Sequence, residues 1–172
     1  MFLNTDFLLF LVYKYNYNNK RGITKKMSYK YNIELDVPLK IGRNLKQKYV
    51  TLEFKNKLEK GQHYIGNNKE MGKFGFTVYR EVKPCDISYD EICTMYLAIE
   101  EAENSDIARL QRKLFKTFSD GKMVSITKQD ALDFLEYVAY DSHIFNRRPS
   151  DEKELAVKLD KKFKIGWFDD RF

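Results

Sequence analysis

The sequence predicts an α+β protein, and two observations carry that expectation. Residues 28–82 alternate apolar and polar side chains at the period of a strand, whereas beyond Pro84 the apolar residues recur at the period of a helix. Each half shows one apolar face, so the two should cover each other. The expected architecture is a small three- to four-stranded, mainly antiparallel sheet packed against about four helices. At 172 residues and 43% hydrophobic side chains, the chain suffices for a single α+β domain over residues 27–172.

The first strand reads "YKYNIELDV". Tyr29, Tyr31, Ile33, Leu35 and Val37 share one face, Lys30, Asn32, Glu34 and Asp36 the other, and Pro38 closes it. "KYVTLEF" repeats the pattern with Val50, Leu52 and Phe54 inward, and "KFGFTVYREV" does so with Phe74, Phe76 and Val78. Between them, "GQHYIGNNKEMG" is spaced by three glycines and reads as a mobile connection. No Gly-Lys-Ser/Thr follows, so it is not a phosphate-cradling loop.

Helices follow. Ser88-x-x-Glu91 is a capping box opening a helix from Tyr89 to about Glu103. Ser105 can cap a second helix carrying Ile107, Leu110, Leu114 and Phe118, stopped by Asp120-Gly121. "KMVSI" suggests a short strand near 123–126. Thr127-x-x-Asp130 opens a third helix that fades at His143, and Ser150 caps a fourth with Leu155, Leu159 and Phe163 inward.

Charge is unevenly spread over the net +6. Residues 1–26 hold five Lys/Arg against one Asp, residues 27–80 eleven against five acids, and residues 81–172 fifteen against nineteen. The leader, residues 1–26, has an apolar run from Phe7 to Tyr13 without a basic n-region or a small-x-small cleavage site, so neither export nor membrane anchoring is expected. Translation from Met27, with residues 1–26 as translated upstream sequence, fits better than a start at Met1, and a real N-terminal strand or a disordered or peripheral segment is the alternative. The Lys-, Asn- and Tyr-rich text suggests an AT-rich genome and a phage-like, host-cytoplasmic accessory protein. Cys85 and Cys93 do not describe a disulfide framework, which suits a reducing cytoplasm. With only His63 and His143 beside them, and no usual ligand spacing, neither a metal nor another cofactor is expected.

Four sets of residues could carry chemistry. The first is electropositive surface: Lys40, Arg43, Lys46 and Lys48 between the first two strands, and Lys57 and Lys60 after the second. Ammonium and guanidinium groups neutralise phosphate and release counterions, and Tyr49, His63 and Tyr64 could stack on unpaired bases. The second is Asp36 with Glu53-x-Lys55, which resembles the pattern of Mg²⁺-dependent nucleases that hold a metal between carboxylates beside a lysine. A solvated sheet face is the plainer use of these three. The third is a protein-docking set made of Arg147 and Arg148 before a helix start, Trp167, Phe168 and Phe172 in the tail, and the acidic run Glu100, Glu101 and Glu103. The fourth is "GKFGFTVY", which resembles the base-stacking strand of the RNA-recognition fold, with Phe74, Phe76 and Tyr79 as its rings. That fold needs a helix between its first two strands, and "PLKIGRNLKQKY" offers none, so Phe74 and Phe76 read as core and Tyr29 and Tyr31 as facing the helices.

No nucleophile–base pair is recognisable. The function expected is therefore a non-enzymatic accessory or regulatory binder contacting nucleic-acid phosphate through the basic loops. A protein-binding inhibitor or assembly component is the alternative, followed by the nuclease.

Overall fold

The structure, a computed structural model, describes residues 28–40, 43–68 and 71–171. The leader, the Met27 start and Phe172 lie outside them. The fold is α+β, with two two-stranded antiparallel sheets and six helices among the described residues. Strand β1 (Tyr29–Lys40) pairs with β2 (Lys46–Phe54), and β3 (His63–Asn68) pairs with β4 (Gly72–Thr77). Helices α1 (Tyr89–Ile99), α2 (Ser105–Ser119), α3 (Lys128–Val138), α4 (Ser142–Asn146), α5 (Ser150–Phe163) and α6 (Trp167–Arg171) complete the chain. None of these helices is long and apolar enough to cross a membrane.

The single sheet of three to four strands is thus replaced by two hairpins. The stretch read as a connection forms β3, in which Asn67 and Asn68 pair with Lys73 and Gly72. The expected strand near 123–126 is irregular backbone, with Met123, Val124 and Ile126 packed on the helical core.

Apolar side chains gather in two clusters. Tyr31, Ile33, Leu35, Val50 and Leu52 of the first hairpin meet Tyr64, Phe74 and Phe76 of the second. The fit is close at Gly66, where a Cβ would lie 2.7 Å from Cδ1 of the buried Leu52, so any side chain there must displace Leu52. Phe54 bridges Tyr31, Tyr64 and Phe76 by edge-on ring contacts at 5.8–6.2 Å. Tyr29 and Tyr31 therefore face the second hairpin and not the helices.

The second cluster is helical, built on Ile92, Met95, Leu110, Phe118, Phe134, Leu135 and Leu159. It sits on the polar face of the first hairpin. Asn32 and Thr51, directly opposite each other in the β1–β2 register, turn toward the start of α1. Asn32 Oδ1 accepts the Tyr89 amide at 2.8 Å and Thr51 Oγ1 accepts the Asp90 amide at 3.3 Å, while the Ser88 hydroxyl accepts the Glu91 amide at 3.1 Å. Three amides that a helix start leaves without intrahelical partners are so supplied, two of them by the sheet.

The remaining ends follow local rules with two departures. Asn104, not Ser105, caps α2, and α5 starts behind Pro149 without a side-chain cap. Helix α3 stops at Ala139, and the short α4 holds His143. Asp130 is fully buried, accepts the Thr127 amide, and is paired with Arg109 and Lys113 of α2, which ties α3 to α2. After α5 the chain turns through Lys164 (φ 52) and delivers Trp167 beneath α3.

Candidate nucleic-acid interface

The β1–β2 hairpin closes with two lysines facing each other. Lys40 and Lys46 are register partners, both are exposed, and exposed Arg43 lies in the connection between them. Lys48, two residues along β2, is tied instead to Glu34, with Nζ 2.8 Å from Oε1. The hydrogen bond and charge of Glu34 push the Lys48 ammonium pKa up.

A second element reaches this end. Gly121, in a left-handed conformation (φ 69) just past α2, approaches Lys48 Cβ and Lys46 Cβ so closely that an added Cβ would sit 3.4 and 3.7 Å from them. This brings the loop of exposed Lys122 and the last turn of α2, which carries exposed Lys116, to the hairpin end. One turn back lies exposed Arg112. Lys40, Arg43, Lys46, Arg112, Lys116 and Lys122 have no ion pair among the described residues, and Asp120 is the acid beside them. By contrast Arg109 and Lys113, on the same helix, are held by Asp130 and Asp133. Reading the helical half as acidic hid Arg112, Lys116 and Lys122. The signal for the first two was present as the i, i+4 spacing of Arg112 and Lys116.

The other basic residues stand apart. Lys57 and Lys60 follow the far end of β2, eight residues beyond Lys46 at Phe54, or roughly 26 Å along an extended strand. Lys57 Nζ lies 5.7 Å from the centroid of the Tyr29 ring. The three rings proposed for stacking are engaged. Tyr49 packs on the helical cluster, the Tyr64 hydroxyl accepts the Glu59 amide at 2.8 Å, and His63 Nδ1 lies 3.0 Å from Thr77 Oγ1. Phe74 and Phe76 are half-buried and stacked 6.1 Å apart in the hairpin cluster, whereas Tyr79 is exposed.

The carboxylates of the nuclease pattern are not brought together. Glu53 lies opposite Lys30, and Asp36 is six residues further along β1, inside a break in register, or roughly 20 Å away. Lys55 is exposed beyond the end of β2. Among the described residues no group of three His, Cys, Asp or Glu is placed to hold a metal ion.

The protein-docking set is largely absorbed by the fold. Trp167 is buried, donates its indole N–H to the Ala139 carbonyl at 2.9 Å, and its own amide is accepted by Asp160 at 2.7 Å. Phe168 rests on Phe145 with ring centroids 4.9 Å apart. The Arg148 guanidinium covers the Tyr137 ring at 5.0 Å and lies 3.7 Å from Glu152, which leaves Arg147 exposed. Burial, reinforced by Glu101, pushes the half-buried Glu100 carboxyl up to about 7, while Glu101 and Glu103 are exposed.

No protein-family model, curated protein or solved structure matches this chain.

Proposed function

We propose that the protein is a non-enzymatic accessory factor that binds nucleic-acid phosphate through the end of its first hairpin, with Lys40, Arg43 and Lys46 as the centre and Lys116 and Lys122 as the flank. The cross-strand pair Lys40–Lys46 carries this reading. Like charges directly opposite on an antiparallel ladder are destabilising, by up to about 1 kcal/mol. No carboxylate pairs with either lysine among the described residues. A polyanion laid across the hairpin end would remove that repulsion and release counterions, which gives affinity without sequence preference.

Titrating a labelled mixed-sequence duplex with the full chain, at two salt concentrations, tests the reading. Binding should weaken steeply as salt rises, and Lys46→Glu should lower the salt slope by about one counterion. The same substitution should raise the folding midpoint slightly, since an opposite-charge pair replaces a like-charge one. Salt-insensitive binding, or a Lys46→Glu protein that binds as well as the parent, would overturn the assignment.

A further inference from the structure

We infer that the outer edge of β1 receives an extended peptide segment of a partner protein in which apolar and basic residues alternate. A cleft of about 580 Å³ separates β1 from the second hairpin. Ile33, Leu35, Phe74 and Phe76 line it, and Val37 and Tyr79, 77% and 81% exposed, stand at its border.

Its main-chain wall is open. Among the described residues β1 pairs only with β2, and no ladder joins the two hairpins. The Lys30 carbonyl turns away from β2 to accept the Cys85 amide at 2.9 Å, which fixes the parity of the strand. By alternation the main-chain groups of Glu34 also point outward, where no backbone group meets them among the described residues, and Asp36 lies in the stretch without a register partner on β2. Between Glu34 and Leu39 the register with β2 is broken as well. Unpaired amides and carbonyls in a row are a template for one more strand.

The side chains specify what that strand carries. Among the described residues that line the cleft, Glu34 and Asp36 are the carboxylates and none is Lys or Arg. Glu34 is shared with Lys48, whereas Asp36 has no ion pair among the described residues. Because strand side chains alternate, a peptide beside β1 would share its apolar face with Ile33, Leu35 and Val37 and its polar face with Glu34 and Asp36. Five residues from Ile33 to Val37 span roughly 16 Å, so about five peptide residues would be read. A second copy pairing β1 against β1 would bring acids toward acids and meet Pro38, which lacks an amide to donate.

A labelled seven-residue peptide alternating Val and Lys, compared with one alternating Val and Glu, tests this on the full chain. Anisotropy should show the Lys peptide binding at least about tenfold tighter. Hydrogen exchange should show new protection at residues 33–37. Asp36→Lys should abolish the preference. Equal affinities, no binding at millimolar peptide, protection confined to the helices, or an indifferent Asp36→Lys protein would each overturn the proposal. Concentration-dependent sedimentation removed by Asp36→Lys would do so too, by giving the edge to a second copy.

Discussion

Asn32 and Thr51 face each other across β1 and β2, and each gives one side-chain oxygen to an amide in the first turn of α1. Asn32 also donates its Nδ2 to the Ile87 carbonyl at 3.1 Å, so a single side chain satisfies an acceptor before the helix and a donor within it. This pair fastens the hairpins to the helices through polar groups, where an apolar contact was expected.

Asn32→Ala should therefore destabilise the fold by about 1–3 kcal/mol, since it strips partners from two main-chain groups at once. Urea unfolding followed by circular dichroism measures this. A loss within the range of an ordinary surface substitution, about 0.5 kcal/mol, would mean that water replaces the carboxamide without cost.

At the contact between the hairpins, Gly66→Ala should cost about 1–3 kcal/mol, because the new methyl must displace the buried Leu52 side chain. Leu52→Ala alone should cost about 2–5 kcal/mol. The double variant should lose less than the sum of the two, and strict additivity in a thermodynamic cycle would show that the two positions do not compete for space.

Trp167→Ala should lower stability by about 3–5 kcal/mol, as expected for emptying a buried aromatic site. Trp167→Phe keeps most of the volume and loses the bond to Ala139, so its smaller loss isolates the indole N–H. If Trp167→Ala melts with the parent, the ring is not part of the helical core.

Stability should also fall as pH rises through the weakly acidic range. Burial pushes the Glu152 carboxyl from its ordinary 4.5 up to about 7, with Arg148 opposing and Asp151 reinforcing the shift, and Glu100 is raised similarly. The folded state then holds protons that the unfolded chain releases. The contribution is fully present below about 4.5 and is lost by about 7. Melting temperature should be higher at pH 5 than at pH 8, and Glu152→Gln should raise it at pH 8 while flattening the profile. An unchanged profile in the Gln variant would remove Glu152 as the source.

Strand periodicity and capping boxes were legible because both depend on near neighbours in sequence. Ser88 with Glu91 and Thr127 with Asp130 form capping boxes as their spacing requires. What covers each face of a strand was not legible, since alternation says that β1 has two faces and names the neighbour of neither. Tyr31 turned to the second hairpin and Asn32 to the helix for this reason. Strand β3 was obscured by Gly66 within it and by Gly61 and Gly72 beside it, and the close approach of Gly66 to Leu52, fourteen positions away, is set by the contact between the hairpins. The basic site divided along the same line. Lys40, Arg43 and Lys46 are close in sequence and in space, whereas Lys116 and Lys122 joined them only through the folding of Gly121 against β2.

The separation of the apolar side chains into two clusters gives the chain a built-in optical asymmetry. Its only tryptophan belongs to the helical cluster, and the hairpin cluster contains tyrosine and phenylalanine but no indole. Indole emission follows the helices alone, whereas tyrosine emission and near-ultraviolet dichroism report both clusters, since Tyr89 and Tyr96 belong to the helical one, so the hairpins show as the part of the tyrosine change that the indole does not share. Recorded on one sample, the two signals show whether both clusters dissolve together, with no label attached.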